Sequence, residues 1–275
     1  MKFGVIITTY NSLAWLEKVL WGYENQTDKD FTVIIADDGS GSETKVLIDS
    51  FKQRAKLNIV HVWHEDNGFQ KTIILNKAIT QTACDYLLFT DGDCIPRGDT
   101  VAVHKQQSQK GYFCSAAYFK LSMDVSHKIS ESDIKSGNAF NYNWLQENDL
   151  PKTNKALKLT AKGMLQKLLN TLTPAKATWN GANSSAFKED IISVNGFDER
   201  MQYGGLDREL GERMNNKGIK GKQIRYSTIC LHLDHKRSYE SPDIWAKNKA
   251  IRSMVKSKKL AWTDYGIEKT KRKKV

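Results

Sequence analysis

Two aspartates flank a glycine at Asp91-Gly92-Asp93, directly after the apolar run Tyr86-Leu87-Leu88-Phe89. The run has the length and composition of a strand covered on both faces. Asp and Gly are poor strand residues and mark its end. Two chemistries suit the triplet. It is either a turn whose carboxylates bond the backbone, or a pair of carboxylates offered to a divalent cation at the carboxyl end of a strand, where open α/β sheets place their ligands. Polar groups recur at equivalent points, in Thr8-Thr9-Tyr10-Asn11 and Asp37-Asp38-Gly39-Ser40. The stretch from His64 to Lys71 leads into a helix whose start would bring backbone amides and Lys71 to a phosphate. Further on, Cys230-Leu-His232-Leu-Asp-His235 sets two imidazoles three residues apart. A zinc site built on Cys230 and these histidines would need two more ligands. Neither GxxxxGK[ST] nor a GxGxxG after a strand occurs, so the common nucleotide-hydrolase and dehydrogenase signatures are missing.

The elements that must position these groups alternate regularly. Strands are predicted at Phe3–Thr9, Phe31–Ala36, Ile59–Trp63 and Tyr86–Thr90. Between them the spacing predicts helices marked by Leu13, Leu16, Val19, Leu20 and Tyr23, then over Ser42 to Ala55, then over Phe69 to Ala83. Strand–helix alternation at this spacing predicts a parallel sheet with right-handed crossovers, which gathers the polar strand ends on one edge. Residues 120–178 are polar and less regular and read as a variable insertion covering the site. Order returns over 179–237, with a helix predicted from Asp207 to Lys217 and a strand near Gln223–Leu231. Residues 243–262 interleave Ile244, Trp245, Ile251 and Val255 with Lys and Arg. That pattern suits either a basic helix in a membrane interface or a terminal helix packed on the domain.

At 275 residues, 40% hydrophobic and 27% charged, the chain fits one large α/β domain with a small appendage. No stretch approaches the roughly 18–20 apolar residues of a membrane span. The opening MKFGVIITTYN reads as a first strand and not a signal peptide, and four scattered cysteines give no disulfide framework, so the expected compartment is the cytoplasm. The net charge of +11 is regional: residues 247–275 hold eleven Lys or Arg against Asp264 and Glu268, and 152–176 holds six lysines and no acid. Such segments suit an anionic membrane surface, nucleic acid or simple solvation. No helix-turn-helix, zinc-finger or RNA-binding signature supports specific nucleic-acid binding.

Five blocks in order resemble the family 2 inverting glycosyltransferases of the GT-A fold. VIITTYN with Leu16, Leu20 and Gln26-Thr27 is similar to the family's start, IIADDGS to its second block and NGFQKTIILNKAI to its third. FTDGD resembles the DxD metal motif. WNGANSSAF followed by NGFDERMQYGGLDREL resembles the acceptor-side half, commonly close to GxxEDxEL. The likeness runs from residue 3 to 237 and is weak over 120–178. It implies a Rossmann-like, mostly parallel central sheet flanked by helices. The domain would span 1–237, with 1–119 the nucleotide-sugar half and 179–237 the acceptor side, and a basic amphipathic extension over 238–275.

The resemblance also assigns roles. Asp38 would read a uracil imide, Thr8 and Tyr10 would wall the base, and Lys71 would approach the ribose or diphosphate. Asp91 and Gly92 would lie at the ribose, and Asp93 would bind Mn²⁺ or Mg²⁺, a hard cation suited to carboxylates bridging a diphosphate. His232 and His235 resemble a late-strand pair of metal ligands in β-1,4-galactosyltransferases, where the pair is a thioether and an imidazole. Asp207 would be the base that deprotonates an acceptor hydroxyl during in-line attack, although Asp also suits the cap of the following helix. Trp179, Asn183 and Tyr203 would contact sugar. Leu206 departs from the pattern, where the family commonly has Glu. The implied activity is metal-dependent transfer of a hexose or N-acetylhexosamine, galactose or N-acetylgalactosamine first, from a UDP-sugar to a glycan or lipid-linked acceptor. The implied setting is bacterial surface polysaccharide or lipopolysaccharide synthesis, on the inner membrane face. The alternative is a non-catalytic nucleotide-sugar or glycan binder on the same fold.

Overall fold

In the computed structural model, which describes residues 1–54, 56–236 and 241–269, the predicted alternation is present. Strands β1 (Phe3–Thr9), β2 (Thr32–Asp37), β3 (Asn58–Trp63) and β4 (Tyr86–Asp91) are connected by helices α1 (Leu13–Glu24), α2 (Ser42–Gln53) and α3 (Lys71–Gln81). All four strands are parallel, in the order β3-β2-β1-β4. β1 shows why its sequence is continuously apolar. Val5 and Ile7 face one core with Leu16, Leu20 and Ile48, while Ile6 faces the other with Ile74, Leu75 and Ile79. The register sets Thr9 opposite Asp37 and Thr8 opposite Asp91, so the polar strand ends share one edge.

Beyond β4 the sheet is mixed. β8 (Ser184–Phe187) runs antiparallel to β4, β6 (Tyr112–Ser115) antiparallel to β8, and β9 (Lys220–Gln223) parallel to β6. A separate three-stranded sheet joins β5 (Cys94–Pro96), β10 (Ile229–His232) and β7 (Ala117–Lys120). The single strand predicted near Gln223–Leu231 is therefore two strands in different sheets. Polar residues 225–228 turn the chain between them, closed by Ser227 N–H donating to the Ile224 carbonyl.

The middle segment divides in two. Short helices over Met123–Lys128, Glu131–Ser136 and Tyr142–Glu147 seat Val125, Ile134 and Leu145 in the α1-side core. Helix Gly163–Leu172 buries no residue. Of the expected extension, residues 238–240 and 270–275 lie outside the described residues. Helix Pro242–Ser257 packs Ile251 and Val255 inward, and Asn195 then holds the following segment by donating to the carbonyls of Thr263 and Glu268. Among the described residues, no helix is long and apolar enough to cross a membrane.

Candidate active site

A crevice of about 1490 Å³ opens along the carboxyl edge of the parallel strands. Asp38 lies at its end, where Oδ1 meets His64 Nε2 at 2.8 Å and Oδ2 accepts from Gln70 N–H at 3.0 Å. Burial raises the Asp38 pKa above its ordinary value, against the pull of His64 and the Gln70 amide. Tyr10 is half exposed and donates to Asp66 at 2.8 Å. Thr8 donates to Asp91 Oδ1 at 2.9 Å, and Lys71 pairs with the same oxygen at 2.5 Å. Burial works against the charge on Lys71, but Asp91 and Asp207 outweigh it and raise its pKa. Gly92 is required by space: a Cβ there would stand 2.8 Å from the Thr8 carbonyl oxygen.

The second sheet explains how distant histidines reach the triplet. Antiparallel pairing of β10 with β5 puts His232 opposite Cys94, the residue after Asp93. His235 Nε2 lies 3.0 Å from Asp93 Oδ2, and His232 Nε2 lies 4.0 Å from Oδ1. The His232 and His235 rings stack at 5.6 Å. Their Nδ1 atoms lie 2.9 and 3.0 Å from the carbonyls of Leu233 and Lys236. A carbonyl only accepts, so each Nδ1 carries a hydrogen and Nε2 is the ring atom turned toward the carboxylate. Nδ1–H bound to a carbonyl is the usual support of an Nε2 metal ligand, and here two such nitrogens converge on one carboxylate. The donor set therefore fits a divalent ion. Burial opposes charge on Asp93, yet the two imidazoles hold its pKa below the ordinary value. The Cys94 thiol donates to Asp93 Oδ1 at 3.3 Å. Burial pushes that thiol well up, so it acts as a donor and not as a thiolate.

Asp207 opens helix Leu206–Asn216 behind two left-handed glycines, Gly204 at φ 100° and Gly205 at φ 85°. Asn248 ties this turn down by donating to the carbonyls of Gln202, Tyr203 and Gly204. The helix itself is anchored by a fully buried ion pair, Arg213 Nε to Glu209 Oε1 at 2.6 Å, with Arg213 also donating to Gly196 O at 2.6 Å. The Asp207 carboxylate accepts from the Gly181 N–H, and its Oδ1 is buried without a hydrogen-bond partner among the described residues. Burial pushes its pKa up to about 6, with Lys71 pulling down and Asp91 pushing further up.

Two expected sugar contacts are buried in the protein. Trp179 borders the crevice but is 0% exposed, with its ring against Phe89 and Phe113 in the core. Asn183 spends its amide on the Ala117 carbonyl and its side-chain oxygen on His104 Nε2. Tyr203 does line the crevice, edge-on to Trp245 at 6.0 Å. Trp245 was not among the expected site residues. Its only signal was a lone aromatic in a basic helix, which suits a membrane interface equally well. The crevice also reaches Lys155 and Lys158, which the sequence marked only as regional charge, and Arg225, which it did not mark.

A family model described as glycosyl transferase family 2 matches residues 4–158. An uncharacterized glycosyltransferase, YfnE of Bacillus subtilis, is 26% identical over 88% of this chain and 67% of its own length. The chain spans about half to two thirds of the length of the first curated relatives it matches. Among solved structures, Staphylococcus aureus TarS 1–349 in complex with UDP-GlcNAc superposes with a TM-score of 0.61 at 17% identity, covering 92% of this chain and 66% of that one. The mannosyltransferase PcManGT of Pyrobaculum calidifontis, in complex with GDP-Man and Mn²⁺, gives 0.58 at 17% identity, covering 92% and 69%.

Proposed function

The chain belongs to glycosyl transferase family 2, with the GT-A fold, and from that premise we propose an inverting, metal-dependent transferase. It moves a hexose or N-acetylhexosamine from a UDP-sugar to a glycan or lipid-linked acceptor. The observation that carries this reading is Asp207, a half-buried carboxylate with one buried, unpartnered oxygen and a pKa pushed up to about 6, in the same crevice as Asp93, His232 and His235. Asp38, Thr8 and Tyr10 hold the uridine, and Lys71 and Asp91 hold the ribose and diphosphate end. Asp93, His235 and His232 hold Mn²⁺ or Mg²⁺, which when bound offsets the charge of the departing diphosphate. Asp207 accepts the acceptor hydroxyl's proton as that oxygen attacks the anomeric carbon from the opposite face. Tyr203, with Trp245 beside it, offers aromatic faces to sugar C–H surfaces. TarS with UDP-GlcNAc and PcManGT with Mn²⁺ support a nucleotide-sugar donor and a divalent ion.

Galactose and N-acetylgalactosamine are the first donors to test, from the GGxD turn and the histidine pair. The working place is the cytoplasmic membrane face, in surface polysaccharide or lipopolysaccharide synthesis. Helix Gly163–Leu172 is the better membrane contact, since it buries no residue and presents Met164 (88% exposed) and Leu172 (67%) among lysines, while helix Pro242–Ser257 buries Ile251 and Val255. The second reading, a non-catalytic binder, is favoured by Leu206 alone, which is 4% exposed and packed in the core where a Glu would be stranded. The deciding assay is UDP release from a panel of UDP-sugars with Mn²⁺ and with EDTA. Metal-dependent release that disappears in Asp93→Ala and Asp207→Asn supports the transferase. Metal-dependent UDP binding without release from any donor supports the binder.

A further inference from the structure

The crevice is lined by both acids and bases. Its acids, Asp38, Asp91, Asp93 and Asp207, come from the strand ends and the Gly204-Gly205 turn. An arm formed by the 155–176 segment and the loop before β10 adds Lys155, Lys158, Lys176 and Arg225 to that lining. No carboxylate forms an ion pair with any of these four among the described residues. Lys158 is half-buried, and burial followed by the charges of Arg225 and Lys155 lowers its pKa. Arg225 has its Nε buried with no hydrogen-bond partner among the described residues. Like charges held together with an unsatisfied buried donor are costly unless an anion completes them.

The arm is also built and not draped. Asn170 donates to Ser227 Oγ at 2.8 Å and accepts from Tyr226 N–H at 2.9 Å. Gln223 donates to the Ala175 carbonyl at 3.2 Å. These bonds pin the lysine-bearing segment to the loop that carries Arg225. We propose that Lys155, Lys158 and Arg225 form an anion subsite that seats the phosphate of a phosphate-bearing acceptor, with the acceptor's reacting hydroxyl directed to Asp207. The phosphate can belong to a diphosphate link to a lipid or to the phosphodiester of a polyol chain. Only the last clause, on the hydroxyl, rests on the transferase reading; the subsite stands on its own residues.

The test is calorimetric titration of the metal-free protein with inorganic pyrophosphate and, separately, with glycerol 3-phosphate. Each of Lys158→Gln and Arg225→Gln is expected to weaken pyrophosphate binding by about tenfold, the loss of one charge-assisted contact. The double variant should lose binding, while Arg225→Lys retains much of it and Lys152→Gln, outside the crevice, changes nothing. Thermal unfolding of each variant checks that it is folded. A preference of tenfold or more for pyrophosphate points to a diphosphate-linked acceptor, and equal affinity points to a polyol phosphate. Pyrophosphate affinity that is unchanged in a folded double variant overturns the subsite, as does wild-type protein that binds neither anion. UDP binding with Mn²⁺ is measured in parallel and should be unchanged within twofold in the double variant. If UDP fails to bind wild type while pyrophosphate behaves as expected, the donor reading falls and the subsite survives.

Discussion

Replacing Asp207 with Asn should make the protein more stable and inactive at once. The carboxyl's folded pKa is pushed up to about 6 from an ordinary value of 3.8. Below pH 4 both states carry the proton and the group is neutral in the stability balance. Between pH 4 and 6 the native state holds a proton that the unfolded chain releases, so stability falls as pH rises. Above pH 6 the whole penalty is present, about 3 kcal/mol at ~1.36 kcal/mol per pKa unit, as an upper bound. Asn keeps the shape of the protonated acid, so Asp207→Asn should recover between about 1 and 3 kcal/mol at pH 8, several degrees in Tm. The gain should vanish by pH 4. Turnover should fall by about 10²–10⁴, the usual contribution of a general base. For wild type, kcat/KM should fall about tenfold per pH unit below 6, because the base must be ionised. Thermal melts across pH, paired with UDP-release assays, read both effects. A variant with no stability gain at pH 8, or with a gain that does not depend on pH, would refute the buried-base argument. Retained turnover would remove Asp207 from the chemistry.

Three further outcomes follow from particular contacts. Arg213→Ala strands Glu209 in the core and should cost about 3–5 kcal/mol in urea unfolding, whereas Arg213→Met combined with Glu209→Leu should cost far less. Gly204→Ala forces a side chain onto φ 100° and within 3.0 Å of the Trp245 ring, so it should lower stability by about 1–3 kcal/mol and shift tryptophan emission. Leu165→Glu with Leu168→Glu, on a helix face that buries nothing, should leave Tm unchanged and abolish sedimentation with anionic vesicles. Sedimentation that persists in this variant but is lost on truncation after residue 241 would return the membrane contact to the C-terminal segment.

The legible part of this protein is the part whose residues answer to local rules. β1 was predicted over its observed bounds because a strand covered on both faces is apolar at every position. The three polar strand ends were placed on one edge because parallel pairing leaves no other arrangement. The burial of Trp179 and Asn183 was not legible, because an aromatic and an amide in a loop look alike whether they face a ligand or a core. Only tertiary packing against Phe89 and Phe113 separates the cases. The split of Gln223–Leu231 into two strands was hidden for the same reason, since Ile224 and Ile229 are buried in different places by partners far away in sequence.

The His232–His235 pair shows where sequence spacing and topology must be combined. Three residues apart near the end of a short strand, the two imidazoles carry no information about Asp93 until β10 is known to pair antiparallel with β5. That pairing alone brings both Nε2 atoms to one carboxylate, and the Leu233 and Lys236 carbonyls then fix which nitrogen is left to bind. Asp207 is treated in the opposite way. Its neighbours withhold donors from Oδ1 and leave it to burial. One crevice thus holds one aspartate below its ordinary pKa beside two imidazoles and raises another toward neutrality, which suits the proposed cation ligand and proton acceptor. A transferase that must bind a charged donor and deprotonate a neutral hydroxyl near pH 7 needs that separation of roles.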